Sequence, residues 1–262
     1  MGQTVAEIRE MLQSADAARF AVLERSLVAD TRKGVRSAVE VARRRLQAQA
    51  AEEERLSSMF SFQRQIALEH GGGVVLGLDE VGRGPLAGPL AVGGVVLPDE
   101  CRIPLLNDSK QLTAQQREDI AAQVRQQAVA WTVRYVEPGD IDAHGIMASL
   151  KRAFRAAIAE IEAQGVHVGV VLLDGNPLHL DPREVNVVKG DARCASIAAA
   201  SVVAKVERDA LMDRLDERYP GYGFAKNKGY GSAEHTEAIK RLGLSAVHRA
   251  SFCTSFTQES LF

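Results

Sequence analysis

Three apolar segments of this chain each end in a carboxylate, and this repeated pattern restricts the folds open to it. The segments cover residues 74–80, 169–174 and 184–191. A carboxylate at the end of a buried strand is costly unless a cation lies opposite it. Singly, Asp174 is explained by an Asp-Gly turn and Asp191 by a helix N-cap. Three such strand ends in one domain instead favour a site where the acids meet.

The first acidic strand end continues at once into a Gly-Arg-Gly turn. Asp79 and Glu80 close the apolar run, and Gly82, Arg83 and Gly84 follow after one residue. Glycine leaves backbone N–H groups open to close approach by a ligand. Carboxylates for a metal beside an open backbone indicate metal-assisted chemistry on a phosphate or a sugar. Successive strand residues face opposite ways, so joint use of both acids requires the strand to end or bulge there.

Strand and helix patterns alternate from residue 74 onward. Strands are predicted over residues 74–79, 91–97 and 131–136, besides those running into Asp174 and Lys189. Helices are predicted over residues 113–130, from 142 or 144 to 163, and over residues 191–218 and 233–241. Gly93-Gly94 indicates a bulge or a sharp twist in its strand. This alternation is typical of an α/β domain whose mixed sheet is flanked by helices.

The first 70 residues follow another pattern, with no proline and no convincing strand. Thr4 and Glu7 have the spacing of a capping box, and a second helix is predicted from Asp30 or Thr31. One face of that helix is rich in arginine; such a face is usually solvated, although contact with a phosphate backbone is the alternative. Residues 71–73 are three glycines and predict a hinge. We therefore expect an all-helical N-terminal extension over residues 1–70 and a catalytic domain over residues 71–262.

Composition narrows the class of protein. The 262 residues suffice for one catalytic domain with an appendage, and the net charge of −2 gives no overall basic character. The three cysteines, Cys101, Cys194 and Cys253, have neither CxxC nor zinc spacing and predict free thiols in a reducing compartment. Neither a secretory signal nor a membrane-spanning run is evident. We expect a cytoplasmic monomer without membrane association or an obligate protein partner.

Residues 77–89, Gly-Leu-Asp-Glu-Val-Gly-Arg-Gly-Pro-Leu-Ala-Gly-Pro, closely resemble the opening signature of the ribonuclease HII family. Further blocks match in order, at residues 107–112, 173–175, 188–191, 199–209, 228–231 and 248–252, so the resemblance spans residues 74–255. It implies an RNase H-like fold and cleavage of the RNA strand of RNA/DNA hybrids, including 5′ of single ribonucleotides embedded in DNA. The related ribonuclease HIII family carries Gly-Lys-Gly at this turn and a sheet-containing N-terminal domain. This chain has Gly-Arg-Gly and a helical pattern over residues 1–70, and both differences favour HII.

The resemblance places the four catalytic and metal-binding acids of the family at Asp79, Glu80, Asp174 and Asp191. Four converging carboxylates repel one another, and hard divalent cations with oxygen ligands relieve that repulsion. Mg²⁺ or Mn²⁺ is therefore implied, as a pair of ions that clamps the scissile phosphate. The implied products carry a 5′-phosphate and a 3′-hydroxyl.

The resemblance also implies how the substrate is read. Gly82, Arg83, Gly84 and Tyr230 correspond to the family's reader of the 2′-hydroxyl, the group that separates RNA from DNA. Phosphate contacts are expected from five hydroxyl and lysine side chains: Ser109, Lys110, Ser201, Lys205 and Lys228. We assign His179, His235 and His248 to surface or capping roles, because no second histidine has metal-ligand spacing. Arg249 and Phe252 are expected to dock the C-terminal segment onto the core.

Two other classes of function remain open at this point. A protein that binds hybrid duplexes without cutting them would be expected to lack one of the acids, and all four are present. A two-metal nuclease for Holliday junctions or double-stranded DNA would leave the Gly-Arg-Gly turn and the later tyrosine unexplained. A P-loop ATPase is excluded in practice, because the sequence contains no GxxxxGK[ST].

Overall fold

The structure is a computed structural model that describes residues 3–99 and 101–257. Contacts within the chain divide it into two units after Ser57. This division falls inside one long helix, α3, which runs over Lys33–Glu69. The two units are described separately below.

The first unit is entirely helical over its described residues, as predicted. Helices α1 (Val5–Ser14) and α2 (Ala17–Leu27) precede the first part of α3. The predicted capping box is confirmed: the Thr4 side chain accepts from the Glu7 amide, and the Glu7 carboxylate accepts from the Thr4 amide at 2.7 Å. A small apolar core joins the three helices through Ile8, Leu12, Ala15, Phe20, Val35, Ala38 and Ala42.

The second unit contains the sheet. Its strands are β1 (Val74–Val81), β2 (Leu90–Val96), β3 (Ala130–Val136), β4 (Val168–Asp174) and β5 (Glu184–Val187). Its longer helices are α4 (Ala114–Gln127), α5 (Pro138–His144), α6 (Ile146–Ala163), α8 (Ala195–Arg218) and α10 (Ala233–Leu242). Single turns complete it: α7 (Gly190–Arg193), α9 (Phe224–Asn227), α11 (Thr254–Thr257) and 3-10 turns at Ser109–Gln111 and Ala250–Phe252.

The sheet is mixed, with strand order β3-β2-β1-β4-β5. The β1 strand lies in the centre, antiparallel to β2 and parallel to β4, and β5 continues the parallel half. Parallel strands place their carboxyl ends at the same edge of a sheet, so β1, β4 and β5 all end at one edge. The predicted α/β class, with a mixed sheet between helices, is confirmed.

Helix α8 packs directly on the face of β1 and β2, and glycine makes this close approach possible. A Cβ atom on Gly77 would lie 2.2 Å from the Ser196 carbonyl carbon, and one on Gly93 would lie 2.3 Å from the Ala200 carbonyl oxygen. The bulge that is one of the two alternatives predicted at Gly93-Gly94 is wrong, because β2 pairs in unbroken register with both neighbours. Gly93 is there to admit the helix.

The opposite face of the sheet carries the main apolar core, formed with α6. Leu76, Leu78, Leu90 and Val92 point to this side, where Phe154 fills the centre. The last turns of α3 pack on the α8 side, with Phe62, Ile66 and Ala67 against Val75 and Val170. These packing contacts fix the strand ends that carry the acids.

Two predicted helices are each interrupted in the structure. Gly145, at a φ of 78°, separates α5 from α6 within the helix predicted over residues 142–163. Cys194 adopts an extended conformation and separates α7 from α8 within the helix predicted over residues 191–218. Within the described residues, no helix is long and apolar enough to cross a membrane.

Candidate active site

Asp79 and Asp174 are brought together by the parallel pairing of β1 and β4. Leu78 pairs with Leu173, so the two acids occupy the next positions at the same strand ends. Asp79 shares a strand face with Gly77 and therefore points toward α8. There the Glu80 amide donates to Asp79 Oδ1 at 2.8 Å, and the Ser201 hydroxyl lies near enough to favour the charged carboxylate.

Glu80 leaves the opposite face of the strand. The β1–β2 register stays regular through Val81, so no bulge turns Asp79 and Glu80 to one side. The Arg83 guanidinium lies 3.1 Å from the Glu80 carboxylate and also contacts the Met147 sulfur. The strand ends one residue later, and both acids still line one cleft at this edge.

Asp174 and Asp191 are linked through the turn that follows β5. Lys189 adopts a left-handed conformation at φ 55°, which turns the chain so that the Gly190 amide donates to Asp174 Oδ1 at 2.6 Å. Asp191 lies in α7, with its carboxylate 3.9 Å from the Lys110 ammonium. Asp191 therefore does not cap the long helix, and its carboxylate stays available at the strand edge.

The acids raise one another's proton affinity. Burial, then the charges of Glu80 and Asp174, raises the pKa of Asp79 well above its usual value, against a hydrogen bond from Ser201. Burial also raises the pKa of Glu80, although Arg83 partly offsets this. Burial, followed by the charges of Asp108 and Asp174, raises the pKa of Asp191. These shifts identify a concentration of negative charge that the protein only partly neutralises.

One cleft of about 230 Å³ joins most of the predicted site residues. Its lining includes two of the acids, the Gly-Arg-Gly turn, the tyrosine and four of the five predicted phosphate contacts. They are Asp79, Glu80, Gly82, Arg83, Gly84, Ser109, Lys110, Ser201, Lys205 and Tyr230. Asp174 and Asp191 lie beside this cleft, close enough to act on the pKa of its acids and of Lys110.

The predicted phosphate-binding side chains are held by neighbours of different kinds. The hydroxyls of Ser109 and Ser201 are 2.9 Å apart in the floor of the cleft. Lys205 pairs with Asp209 at 2.8 Å. Lys228 lies outside the cleft, with its ammonium on Asp213. A phosphate contact from Lys228 stays a prediction, and this geometry gives it no support.

The carboxylates at this edge are the type of ligand that binds a divalent cation. Carboxylate oxygens are the ligands that Mg²⁺ and Mn²⁺ prefer, and the buried Asp79 forms no ion pair with any residue that the structure describes. Over residues 3–99 and 101–257, no three His, Cys, Asp or Glu side chains form a ready-made metal site. The physical reason is visible at Glu80 and Asp174, which are held by Arg83 and by the Gly190 amide. The four carboxylates therefore have the right chemistry for a divalent metal, but their side chains must move closer together to bind one.

Sequence reasoning gave Arg249 only a docking role and gave Arg208 no role, yet both lie buried against the Gly-Arg-Gly turn. Arg249 and Arg208 are both fully buried, and neither forms an ion pair within the described chain. Arg249 donates to the carbonyls of Gly82, Arg83 and Gly88 at 2.7–3.0 Å. The docking role expected for Arg249 thus has a specific target. A single sequence gives no signal that distinguishes a buried arginine from a solvated one.

The surface location that is one of the two alternatives predicted for His235 and His248 is wrong, because both side chains are buried. Their Nε2 atoms are 3.1 Å apart, and His235 Nδ1 lies 2.8 Å from the Tyr230 carbonyl. His248 Nδ1 accepts from the Ser245 amide at 2.9 Å. Tyr222 and Phe224 enclose the pair, so apolar packing outweighs exposure of the imidazoles. His179 is exposed, in agreement with its predicted surface role.

Comparison with known proteins places this site in a family. The family model for ribonuclease HII matches residues 76–255, and a model described as the ribonuclease HII N-terminal domain matches residues 4–67. Among solved structures, the ribonuclease HII of Archaeoglobus fulgidus, solved in a complex with PCNA, is 28% identical. It covers 71% of this chain and 98% of its own, with a TM-score of 0.60.

Two further structures show the same fold. The ribonuclease H2 of Pyrococcus horikoshii OT3 is 25% identical, with 71% of this chain and 100% of its own covered and a TM-score of 0.59. Bst-RNase HIII in complex with Mn²⁺ is 18% identical, with coverages of 74% and 73% and a TM-score of 0.56. The mixed sheet is thus an RNase H-like fold. The chain belongs to the ribonuclease HII family and is a ribonuclease H, an endonuclease that hydrolyses RNA.

Proposed function

We propose that this protein cuts the RNA strand of RNA/DNA hybrids and also cuts 5′ of single ribonucleotides embedded in duplex DNA. The observation that carries this proposal is the meeting of four acids with a Gly-Arg-Gly turn and an exposed tyrosine at one sheet edge. The acids suit metal-dependent hydrolysis of a phosphodiester, and the turn and tyrosine suit recognition of a sugar. The cell would use this reaction to remove ribonucleotides from DNA.

Asp79, Glu80, Asp174 and Asp191 are the residues proposed to hold two divalent ions, Mg²⁺ or Mn²⁺. When bound, such a pair supplies an activated water and stabilises the leaving oxygen, giving 5′-phosphate and 3′-hydroxyl ends. The protein's own contribution is to hold the carboxylates. The Glu80 amide donates to Asp79 Oδ1 at 2.8 Å, and the Gly190 amide donates to Asp174 Oδ1 at 2.6 Å.

Recognition of the ribose is assigned to the cleft's other wall. Gly82 has a φ of 91°, a conformation that glycine adopts without strain, and Gly84 has open space where a Cβ would be. The backbone can therefore come within hydrogen-bonding distance of a 2′-hydroxyl. Tyr230 is 45% exposed, so its ring can pack against the neighbouring deoxyribose.

Anchoring of the nucleic-acid backbone is assigned to the cleft floor. Ser109, Lys110, Ser201 and Lys205 present hydroxyl and ammonium donors along its lining. Such donors bind phosphates without reading the base sequence, as an enzyme acting on any hybrid requires.

The experiment uses three end-labelled duplexes: an RNA/DNA hybrid, a DNA duplex with one ribonucleotide, and the same duplex without it. Each is incubated with the full chain in Mg²⁺, Mn²⁺ or a chelator. Metal-dependent cleavage of the first two and not the third supports the proposal. Cleavage of the hybrid alone would refute the proposed activity on single ribonucleotides. Tight binding without cleavage in either metal would instead support a non-cutting hybrid-binding protein.

A further inference from the structure

The two parts of the proposed sugar-recognition site, the Gly-Arg-Gly turn and Tyr230, are joined by one short segment, residues 247–249. The Val247 carbonyl accepts from the Gly88 amide at 2.8 Å, and the Arg249 amide donates to the Leu86 carbonyl at 2.8 Å. His248 forms an isolated antiparallel bridge with Ala87. Residues 247–249 are therefore tied, by these two hydrogen bonds and one bridge, to the chain that follows the Gly-Arg-Gly turn.

The Arg249 guanidinium fixes the orientation of the peptide groups in that turn. It donates to the Gly82 carbonyl at 2.7 Å and to the Arg83 carbonyl at 3.0 Å. These peptides are trans, and a trans peptide directs the N–H of the next residue away from its carbonyl oxygen. With both carbonyls turned inward onto Arg249, the amides of Arg83 and Gly84 point outward. Within residues 3–99 and 101–257, no acceptor takes either amide proton.

The same segment contacts Tyr230, the other part of the proposed sugar-recognition site, through the buried histidines His248 and His235. The Tyr230 carbonyl accepts from His235 Nδ1 at 2.8 Å, so a neutral His235 has Nε2 as an acceptor. His248 Nε2 must then be the donor across the 3.1 Å contact, which leaves its Nδ1 to accept from the Ser245 amide. Every hydrogen-bonding position of the pair is satisfied in this one tautomeric arrangement. The pair thereby holds the backbone of Tyr230.

Burial shows that these contacts are costly and specific. Arg249 is fully buried without a carboxylate partner, and burial followed by the charge of Arg208 lowers its pKa to about 10. A buried guanidinium is tolerated only when its donors are satisfied, and here the acceptors are loop carbonyls. A methionine or leucine would fill this space at lower cost. Retaining an arginine is explained by its control over the direction of the turn's peptide groups.

We propose that Arg249 and the His248–His235 pair are positioning residues for recognition of the ribose. Arg249 turns the Arg83 and Gly84 amides toward the position of the 2′-oxygen, and the histidine pair sets Tyr230 opposite them. This inference rests on the proposed function, since it presumes that the turn and Tyr230 read the sugar. None of these three side chains touches the reacting atoms.

The test measures discrimination, since a purely structural role would not change it. The affinity for a labelled duplex with one ribonucleotide is compared with that for the same all-DNA duplex, in chelator, for the full chain. We expect Arg249→Lys and Arg249→Met to lower this affinity ratio at least tenfold, because neither side chain reaches all the carbonyls. We expect His235→Phe, which keeps a ring of similar size, to lower it several-fold.

The control is Phe154→Leu, in the core on the α6 side of the sheet. This variant lowers stability without touching the Gly-Arg-Gly turn or Tyr230, so its affinity ratio should equal that of the unaltered protein. An unchanged ratio in folded Arg249→Lys would overturn the role of Arg249. If both Arg249 variants fail to fold, His235→Phe decides, and an unchanged ratio there overturns the proposal. Absence of discrimination in the unaltered protein would instead refute the proposed function.

Discussion

The Arg83 guanidinium lies 3.1 Å from the Glu80 carboxylate, so one residue of the proposed sugar reader neutralises one of the proposed metal ligands. A divalent cation at Glu80 must compete with this ion pair. Arg83 is half exposed, which limits the strength of the pair. The two halves of the cleft are therefore electrostatically connected even without substrate.

Replacing Arg83 with glutamine should tighten metal binding. An exposed ion pair of this kind is worth about 1 kcal/mol at most, so Mn²⁺ affinity should rise by no more than about fivefold. Calorimetric titration of the free protein with Mn²⁺ measures it. Arg134→Gln is the matched control. Arg134 forms an ion pair with Glu160, with 2.9 Å between nitrogen and oxygen, and neither residue lines the cleft, so this variant should leave the Mn²⁺ affinity unchanged. Weaker Mn²⁺ binding in the Arg83 variant would contradict competition at Glu80.

Asp79→Asn should lose cleavage while remaining folded. We expect the rate to fall by at least on the order of 10³-fold, as for loss of a group central to transition-state stabilisation. The folded-state pKa of Asp79 is raised, so its charge opposes folding increasingly as the pH rises. The variant should therefore gain stability relative to the unaltered protein as the pH rises: the difference in their free energies of unfolding should favour the variant more at pH 8 than at pH 5. Cleavage at the original rate would refute the assignment of Asp79.

Mg²⁺ should stabilise the folded protein, because it relieves repulsion among the acids. At a concentration ten times its dissociation constant, a ligand that binds only the folded state contributes about 1.4 kcal/mol. Thermal unfolding with Mg²⁺ or chelator measures the shift at pH 7.5, and it should shrink toward pH 5 as the raised-pKa acids become protonated. Asp119→Asn, on α4, should retain the shift and Asp79→Asn should lose most of it. An equal shift in both variants would place the stabilising ion elsewhere.

The buried histidines should make the protein sensitive to acid. Burial, then the neighbouring His235, lowers the folded-state pKa of His248 to about 4, against about 6.5 in the unfolded chain. The resulting stability is complete above pH 6.5 and is lost as the pH falls toward 4. The loss from His248 between pH 7.5 and 5 should be about 2 kcal/mol, measured by urea unfolding. His248→Gln should reduce this loss, whereas His144→Gln, at the exposed end of α5, should not.

Glycine at the helix–sheet contact should be irreplaceable. A Cβ on Gly93 would lie 2.3 Å from the Ala200 carbonyl oxygen, so Gly93→Ala must push α8 away from the sheet. We expect a loss of about 1–3 kcal/mol in the free energy of unfolding. Gly139→Ala is the matched control, because no atom lies within 4 Å of the added carbon. Equal stability of the two variants would contradict close packing as the reason for Gly93.

Much of this fold was predictable, because its signals are local. Apolar runs identified every strand, and Thr113 with Gln116 forms the capping box that starts α4. The acids at the ends of β1 and β4 were recognisable because charged residues rarely close a buried strand without a reason. That they meet at one edge depends on the parallel pairing of β1 with β4, which the sequence pattern alone does not specify.

The features that escaped prediction depend on contacts distant in sequence. Burial of Arg249 is decided by carbonyls more than 160 residues away, at Gly82 and Arg83. The role of Gly93 is set by Ala200 on a helix that a strand pattern cannot reveal. The boundary predicted at residue 70 also stays a prediction: the contacts divide after Ser57, and Phe62 and Ala67 pack against the sheet.

The position of the cut in a DNA duplex with one ribonucleotide tests the central claim most directly. The duplex is incubated with Mg²⁺ or Mn²⁺, and the product ends are mapped to single-nucleotide resolution. The account predicts one metal-dependent cut on the 5′ side of the ribonucleotide, leaving a 3′-hydroxyl and a 5′-phosphate. Cleavage at other positions, or equal cleavage of the duplex without the ribonucleotide, would contradict a cleft built to read one 2′-hydroxyl beside four acids.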